Sequence, residues 1–274
     1  VKILLYSGLT ALTLATLGCD RVTKEVSTEE TNYMSCRNDV SEIVNGSTVA
    51  IQDPDSKRAV LLIIRSGDTI KGCTGSVISN RIILTAAHCV EGANKDAINV
   101  VFHPDMSCQS GYNTSKTISS VDYIKHENYS TEVSGENDLA LIKLASPVPG
   151  NYHPQALFDG KSTPSSDDVL MIGYGVTDSD KEDSLTLRKV TKSYLKNTVI
   201  SGQGITFVQL TSGVCSGDSG GPLYVQVNGQ YKIIGVNSIV MGPEYAPCRY
   251  LSQGMYIPHF TDWIEKNINQ LESQ

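Results

Sequence analysis

Between residues 59 and 240 the chain breaks into short apolar runs, each bounded by Gly, Pro, Asn, Asp or Ser. They are AVLLIIR (59–65), SVIS and RIILTAA (76–87), AINVVFH (97–103), DLALIKL (138–144), DVLMIGYG (168–175), GITFVQL (204–210), PLYVQV (222–227) and YKIIGVNSIV (231–240). Runs of this length, rich in β-branched residues and separated by turn formers, fit strands rather than helices. Their number fits an all-β sandwich or a pair of barrels. Only the end of the chain, about residues 258–271, departs from the pattern. There Phe260, Trp263, Ile264 and Ile268 recur at three- and four-residue spacing, which predicts a helix. The Ser/Pro-rich stretch 162–168 is expected to link two halves, roughly 43–150 and 160–274.

The N-terminal part has a different character. Residues 1–18 hold one basic residue, Lys2, then an apolar stretch from Ile3 to Leu17 and a small Gly18. That pattern predicts a signal peptide and is short for a membrane-spanning helix. Cys19 follows, and the run LATLGC resembles a bacterial lipobox, in which the cysteine is lipidated and becomes the mature N-terminus. Thr16 stands where that motif usually has Leu, and the alternative is an ordinary cleaved signal peptide with an incidental cysteine. Residues 19–42, rich in acids, Ser and Thr and poor in large apolar side chains, are expected to be a solvated tether or propeptide. The net charge of −7 and the pI of about 5.2 exclude nucleic acid as a natural partner, since phosphate binding needs a basic surface. Seven widely spaced cysteines without a CxxC argue for disulfides in an exported protein rather than a zinc site. The odd count leaves one cysteine outside any internal pairing.

Three motifs carry chemistry. GDSGGP (217–222) surrounds Ser219 with glycines, which allow the tight turn needed to present a hydroxyl together with backbone N–H groups. A serine hydroxyl is a weak nucleophile at neutral pH and needs an adjacent base. TAAHC (85–89) supplies His88 at the end of an apolar run, and NDLALIKL (137–144) supplies Asp138 at the start of another. The order His, Asp, Ser and the three flanking motifs resemble the chymotrypsin family of trypsin-like serine proteases. The resemblance runs from IVNG (43–46) to the terminal helix.

That resemblance implies a fold of two packed antiparallel six-stranded β-barrels with a C-terminal α-helix, forming a peptidase domain over 43–274. It implies a catalytic triad of His88, Asp138 and Ser219 in the cleft between the barrels, with an oxyanion hole from the N–H groups of Gly217 and Ser219. It also implies activation by cleavage before Ile43, whose new α-amino group would pair with Asp218. The residue before that bond is Glu42, where trypsin-activated members have Lys or Arg, so the activating protease stays open. The family bridges match Cys73–Cys89 and Cys215–Cys248. Cys36 and Cys108 remain and are expected to pair, holding the propeptide to the body, with Cys19 as the lipid anchor.

The specificity pocket is expected from Gly213, Val214, Asn237, Val240 and Gly254. Trypsin-like members need an Asp where this chain has Gly213, because a buried cation needs a countercharge. Gly213 and Val214 before Cys215 resemble an elastase, and Val240 replaces a pocket-lining Gly. Small or medium aliphatic residues are therefore expected before the scissile bond, and Asn237 opens the pocket to a polar side chain. No metal or organic cofactor is implied. The expected partners are protein or peptide substrates, an activating protease and, through Cys19, a membrane. The chain is expected to be a monomer, exported to the bacterial periplasm, the cell surface or the medium. Two other readings stand beside this one: a binding module on an inactive protease scaffold, and a surface adhesion lipoprotein.

Overall fold

The computed structural model of the protein describes residues 43–107, 115–132, 135–181, 183–193 and 198–273. All of these fall in the unit spanning residues 34–274; the unit of residues 1–33 lies outside them. The expected signal peptide (1–18), the tether (19–42), the Cys19 anchor and the Cys36–Cys108 pair lie outside the described residues, as Cys19, Cys36 and Cys108 are not among them.

The apolar runs form strands with both faces buried, which explains why they are continuous rather than alternating. In the first half, β2 (Val60–Ser66), β3 (Thr69–Val77), β4 (Ile82–Thr85), β5 (Ile98–Phe102), β6 (Lys116–Lys125) and β7 (Ala140–Leu144) close into an antiparallel barrel of order β2-β3-β4-β7-β6-β5. Along β2, Val60, Leu62 and Ile64 point into the barrel with Cys73, Val77 and Ile83. Leu61 points the other way, joining Ile82, Leu84 and Leu141 in a second cluster. The two-residue period of a strand thus supplies an inner core and an outer packing face from one run.

The second half holds β8 (Ala156–Leu157), β9 (Asp168–Gly173), β10 (Arg188–Ser193), β11 (Val199–Ser201), β12 (Gly204–Val208), β13 (Pro222–Val227), β14 (Gln230–Met241) and β15 (Leu251–Tyr256). With β1 (Ser47–Thr48) they build one nine-stranded sheet, in the order β1-β10-β9-β13-β14-β15-β12-β11, with β8 beside β14. The all-β expectation holds. The first half is a closed six-stranded barrel, whereas the second is extended by the short strands β1, β8 and β11 around a six-stranded centre. β1 pairs with β10, so the first residues of the 43–150 stretch belong to the sheet of the other half. The cause is apolar: Ile43 is fully buried with Val169, Met171 and Val190.

Leu61, Ile82, Leu84, Leu139 and Leu141 of the first half share one cluster with Leu170, Ile172, Tyr174 and Tyr224 of the second. The expected terminal helix is present as α2 (Ile257–Glu272). Its Phe260, Trp263 and Ile264 enter the shared cluster, and Ile268 packs against it. Pro258 in its first turn has no N–H to leave unpaired there.

Candidate active site

β4 ends at Thr85, and a single helical turn, α1 (Ala87–Val90), follows with His88 inside it. One turn has little stability of its own. It is held by the Cys73–Cys89 disulfide, which joins it to β3. A second hold is the His88 main-chain N–H, which donates to Asp138 Oδ1 at 2.8 Å. Asp138 immediately precedes Leu139 and β7 and is 2% exposed. Its Oδ2 faces His88 Nδ1 at 2.7 Å and accepts the Ser238 hydroxyl at 2.6 Å. Burial would push this carboxyl up, but the His88 ring, the Ser238 hydroxyl and the His88 N–H together hold it below the usual aspartate value. It is therefore ionised at neutral pH and accepts hydrogen bonds only, so the facing His88 Nδ1 carries the proton.

Ser219 lies half-buried on the loop between Gly213 and β13. Two glycines are required there. Gly217 has φ +95°, and a Cβ on it would lie 2.9 Å from Gly175 Cα. Gly220 has φ +78°, and a Cβ would lie 2.4 Å from the Thr74 carbonyl oxygen. First-half residues hold the loop: the Thr74 N–H donates to the Ser219 carbonyl at 2.8 Å and its hydroxyl to the Gly217 carbonyl at 2.8 Å. The Gly220 N–H donates to the Asn237 carbonyl at 2.7 Å, and the Asn237 N–H to the Gly221 carbonyl at 2.9 Å. Among the described residues the N–H groups of Gly217 and Ser219 donate to no protein acceptor. No hydrogen bond joins the Ser219 hydroxyl to His88 among them either; such bonds commonly tighten only with substrate. Cys89 Sγ lies 3.7 Å from both His88 Nε2 and the Ser219 carbonyl oxygen, so the Cys73–Cys89 bridge backs the histidine and the Ser219 loop together.

Asp218 is fully buried. Its Oδ1 accepts from the Gly175 N–H at 2.8 Å and its Oδ2 from the Cys215 N–H at 2.9 Å. Burial pushes its pKa up to about 6, against the pull of those two N–H groups and of the Arg188 guanidinium. Arg188, itself buried, donates to the Gly175 carbonyl at 3.1 Å. Val44 packs on the Cys215–Cys248 disulfide, and its carbonyl accepts the Gly213 N–H at 3.1 Å. The IVNG segment and the Asp218 loop are thereby neighbours.

A cavity of about 170 Å³ opens beside Ser219, lined by Val214, Asn237 and Val240 together with Cys215, Ser216, Ser238 and Ile239. Gly213 and Gly254, expected in its wall, do not line it. Gln209 is the reason at Gly213: a Cβ there would lie 2.2 Å from Gln209 Oε1. The Gln209 amide donates to the carbonyls of Val214 and Cys248 and accepts from the Val214 N–H. At Gly254 the space is taken by Leu223, 2.8 Å from where a Cβ would stand. A second cavity of about 180 Å³ is also lined by Ser238 and Ile239, together with His88, Tyr129 and Asp138. Burial, with the nearby Asp138 and Glu91 charges, pushes the Tyr129 phenol up to about 12. Ser238, Thr74 and Gln209 were not assigned these duties from sequence, since the duties depend on partners distant in the chain or on buried amide geometry.

The trypsin family model matches residues 43–264. The chain is 32% identical over 247 residues to an alkaline trypsin C of Manduca sexta, covering 82% of this chain and 90% of that one. It is 31% identical to phenoloxidase-activating factor 3 of Holotrichia diomphalia, covering 74% of this chain and 66% of that protein's length. With a chymotrypsin-like elastase family member 1 of Macaca fascicularis it is 28% identical, covering 82% and 89%.

Proposed function

Because the chain belongs to the trypsin family, we propose that it is a serine endopeptidase in which His88, Asp138 and Ser219 form the triad. The observation that carries the reading is the Asp138 carboxylate. It is buried and ionised, and it faces His88 Nδ1 at 2.7 Å, leaving Nε2 as the proton acceptor. Ser219 Oγ attacks the scissile carbonyl as its proton passes to His88 Nε2. The C–N bond then breaks, the same proton leaves with the amine, and water hydrolyses the acyl-enzyme by the reverse transfers. The N–H groups of Gly217 and Ser219 receive the oxyanion, a contribution worth about 3 kcal/mol per donor in such sites.

Cleavage between Glu42 and Ile43 activates the enzyme by giving Asp218 the ammonium partner that its burial demands. The peptidase domain spans 43–274, its pocket takes small or medium aliphatic side chains such as Val, Ala or Ile, and Val240 narrows the mouth against Phe and Tyr. The chain is exported and works on protein or peptide substrates as a monomer, with Cys19 lipidated and Cys36 paired with Cys108. Non-reduced peptide mass spectrometry tests those last two assignments: Cys19 missing from the mature protein, or Cys36 as a free thiol, would remove them.

Ser219→Ala tests the central claim. The folded variant should lose peptide hydrolysis by several orders of magnitude and lose labelling by a fluorophosphonate. Near-normal turnover by the pure variant would exclude the triad. A wild-type chain cut before Ile43 that folds and yet resists the probe would instead be a binding module on a protease scaffold.

A further inference from the structure

We propose that Asn237 is a specificity-determining residue, and that it directs the enzyme to substrates with a hydroxyl or carboxamide on the side chain before the scissile bond. The inference rests on the peptidase reading and, at the pocket beside Ser219, places small polar side chains ahead of the aliphatic ones of that reading. Asn237 lines that cavity and is 4% exposed, yet among the described residues its buried Nδ2 has no hydrogen-bond partner. A buried amide left unpaired is costly, and a substrate group that pairs with it recovers that cost.

Nothing nearby among the described residues satisfies it. Opposite Asn237 across β14 and β15 stands Gly254, which has no side chain. The other buried amide of this region, Gln209, is fully engaged with the Val214 and Cys248 backbone. The backbone that carries the amide is fixed, because the Asn237 main chain bonds in both directions to Gly220 and Gly221 of the nucleophile loop. A polar group on so rigid a frame sits at one location relative to Ser219, which is what a recognition contact needs.

The lining narrows the choice of ligand. Val214 and Val240 are apolar, and no Lys, Arg or His is among the described residues that line the cavity. The one charged group among its described lining residues, Asp218, is the acid that the Ile43 ammonium takes up in the cut chain under the proposed activation, and its two oxygens also accept the Gly175 and Cys215 N–H groups. A cationic or anionic substrate side chain would therefore enter without a free countercharge, while a carboxamide offers donor and acceptor together. The complement is a small neutral side chain that can do the same or carries a hydroxyl: Thr, Ser, Asn or Gln. Val240 and the cavity volume of about 170 Å³ favour the smaller of these.

The test uses the full chain cut between Glu42 and Ile43, with two pairs of otherwise identical peptides: Thr against Val, and Asn against Leu, before the scissile bond. The kcat/KM ratio should favour the polar member of each pair by about tenfold, the size expected of one buried hydrogen bond gained or lost. Asn237→Leu should bring both ratios to one or below. A wild-type ratio at or below one overturns the inference whether or not the variant folds, and a ratio unchanged in Asn237→Leu overturns the role of Asn237. Fluorophosphonate labelling of Ser219 in the same samples separates the two levels. Labelled enzyme with flat ratios removes this inference alone, while absence of labelling removes the peptidase reading and this inference with it.

Discussion

The Thr74 hydroxyl donates to the Gly217 carbonyl at 2.8 Å and accepts the Tyr174 N–H at 3.1 Å, while the Thr74 N–H holds the Ser219 carbonyl at 2.8 Å. Only the hydroxyl bonds can be removed by substitution, and Thr74→Val removes both while keeping the side chain's shape. Freeing the Gly217 peptide should misplace an oxyanion donor, a group that acts on the transition state more than on bound substrate. The expected result is kcat down about 10- to 100-fold with KM changed less than about threefold. Steady-state kinetics decide it, and a loss confined to KM would show that Thr74 does not position the oxyanion loop. Ser238→Ala should act through Asp138 instead. Without its hydroxyl the carboxylate loses one of the bonds that hold its pKa down, so the acid limb of the rate profile should shift to higher pH. An unmoved acid limb would contradict that. At this scale the sequence displays groups whose chemistry demands a residue type in a fixed local turn, as for Ser219 in GDSGGP or His88 in TAAHC. Thr74 and Gly217 are 143 positions apart, and nothing local in CTGS marks that contact.

Among the elements, the one-turn helix α1 is the least able to stand alone, yet it carries His88. Its ties are the bridge to β3 across 16 positions and the bond from the His88 N–H to Asp138. A crosslink closing a loop of that length contributes about 3 kcal/mol. The double change Cys73→Ser and Cys89→Ser should therefore lower Tm by roughly 6–12 °C for a domain of this size, and cut kcat/KM beyond the loss of folded protein. Thermal melts combined with fluorophosphonate titration of active sites separate the two effects; full activity per titrated site would mean that the bridge stabilises without positioning. The strands and α2 were legible because burial imposes a period on the chain. Val60 and Leu62 alternate with Leu61 between two cores, and Phe260, Trp263 and Ile264 make one helical face. The short strands were not legible. β1, two residues long, pairs with β10 about 140 positions away, and no period can be read from two residues.

At the scale of the whole molecule, Asp218 is buried with no ammonium paired to it among the described residues, and the pH dependence of the uncut chain's stability should betray this. Asp218 titrates near 6 in the fold, against 3.8 for a free aspartate, and burial is the main cause. Between about pH 4 and 6 the folded chain therefore holds a proton that the unfolded chain has already released. Stability rises with pH only where the unfolded state binds more protons, so here it must fall as pH climbs through that window, and the deficit persists above it. Cutting before Ile43 creates an α-amino group with an ordinary pKa of about 7.7–8.0. If it pairs with Asp218, the carboxyl is drawn down and the ammonium is drawn up. The cut chain then escapes the decline between pH 4 and 6 and keeps the added stability until the ammonium deprotonates above about pH 8. The gap in Tm between cut and uncut Ser219→Ala chains should thus widen from pH 4 to 6, stay open near neutrality by about 3 °C or more, and narrow again in alkali. Asp218→Asn should abolish the widening in the same melts. A gap that is constant from pH 4.5 to 8 would mean that the new N-terminus does not reach Asp218, and activation by insertion would have to be given up.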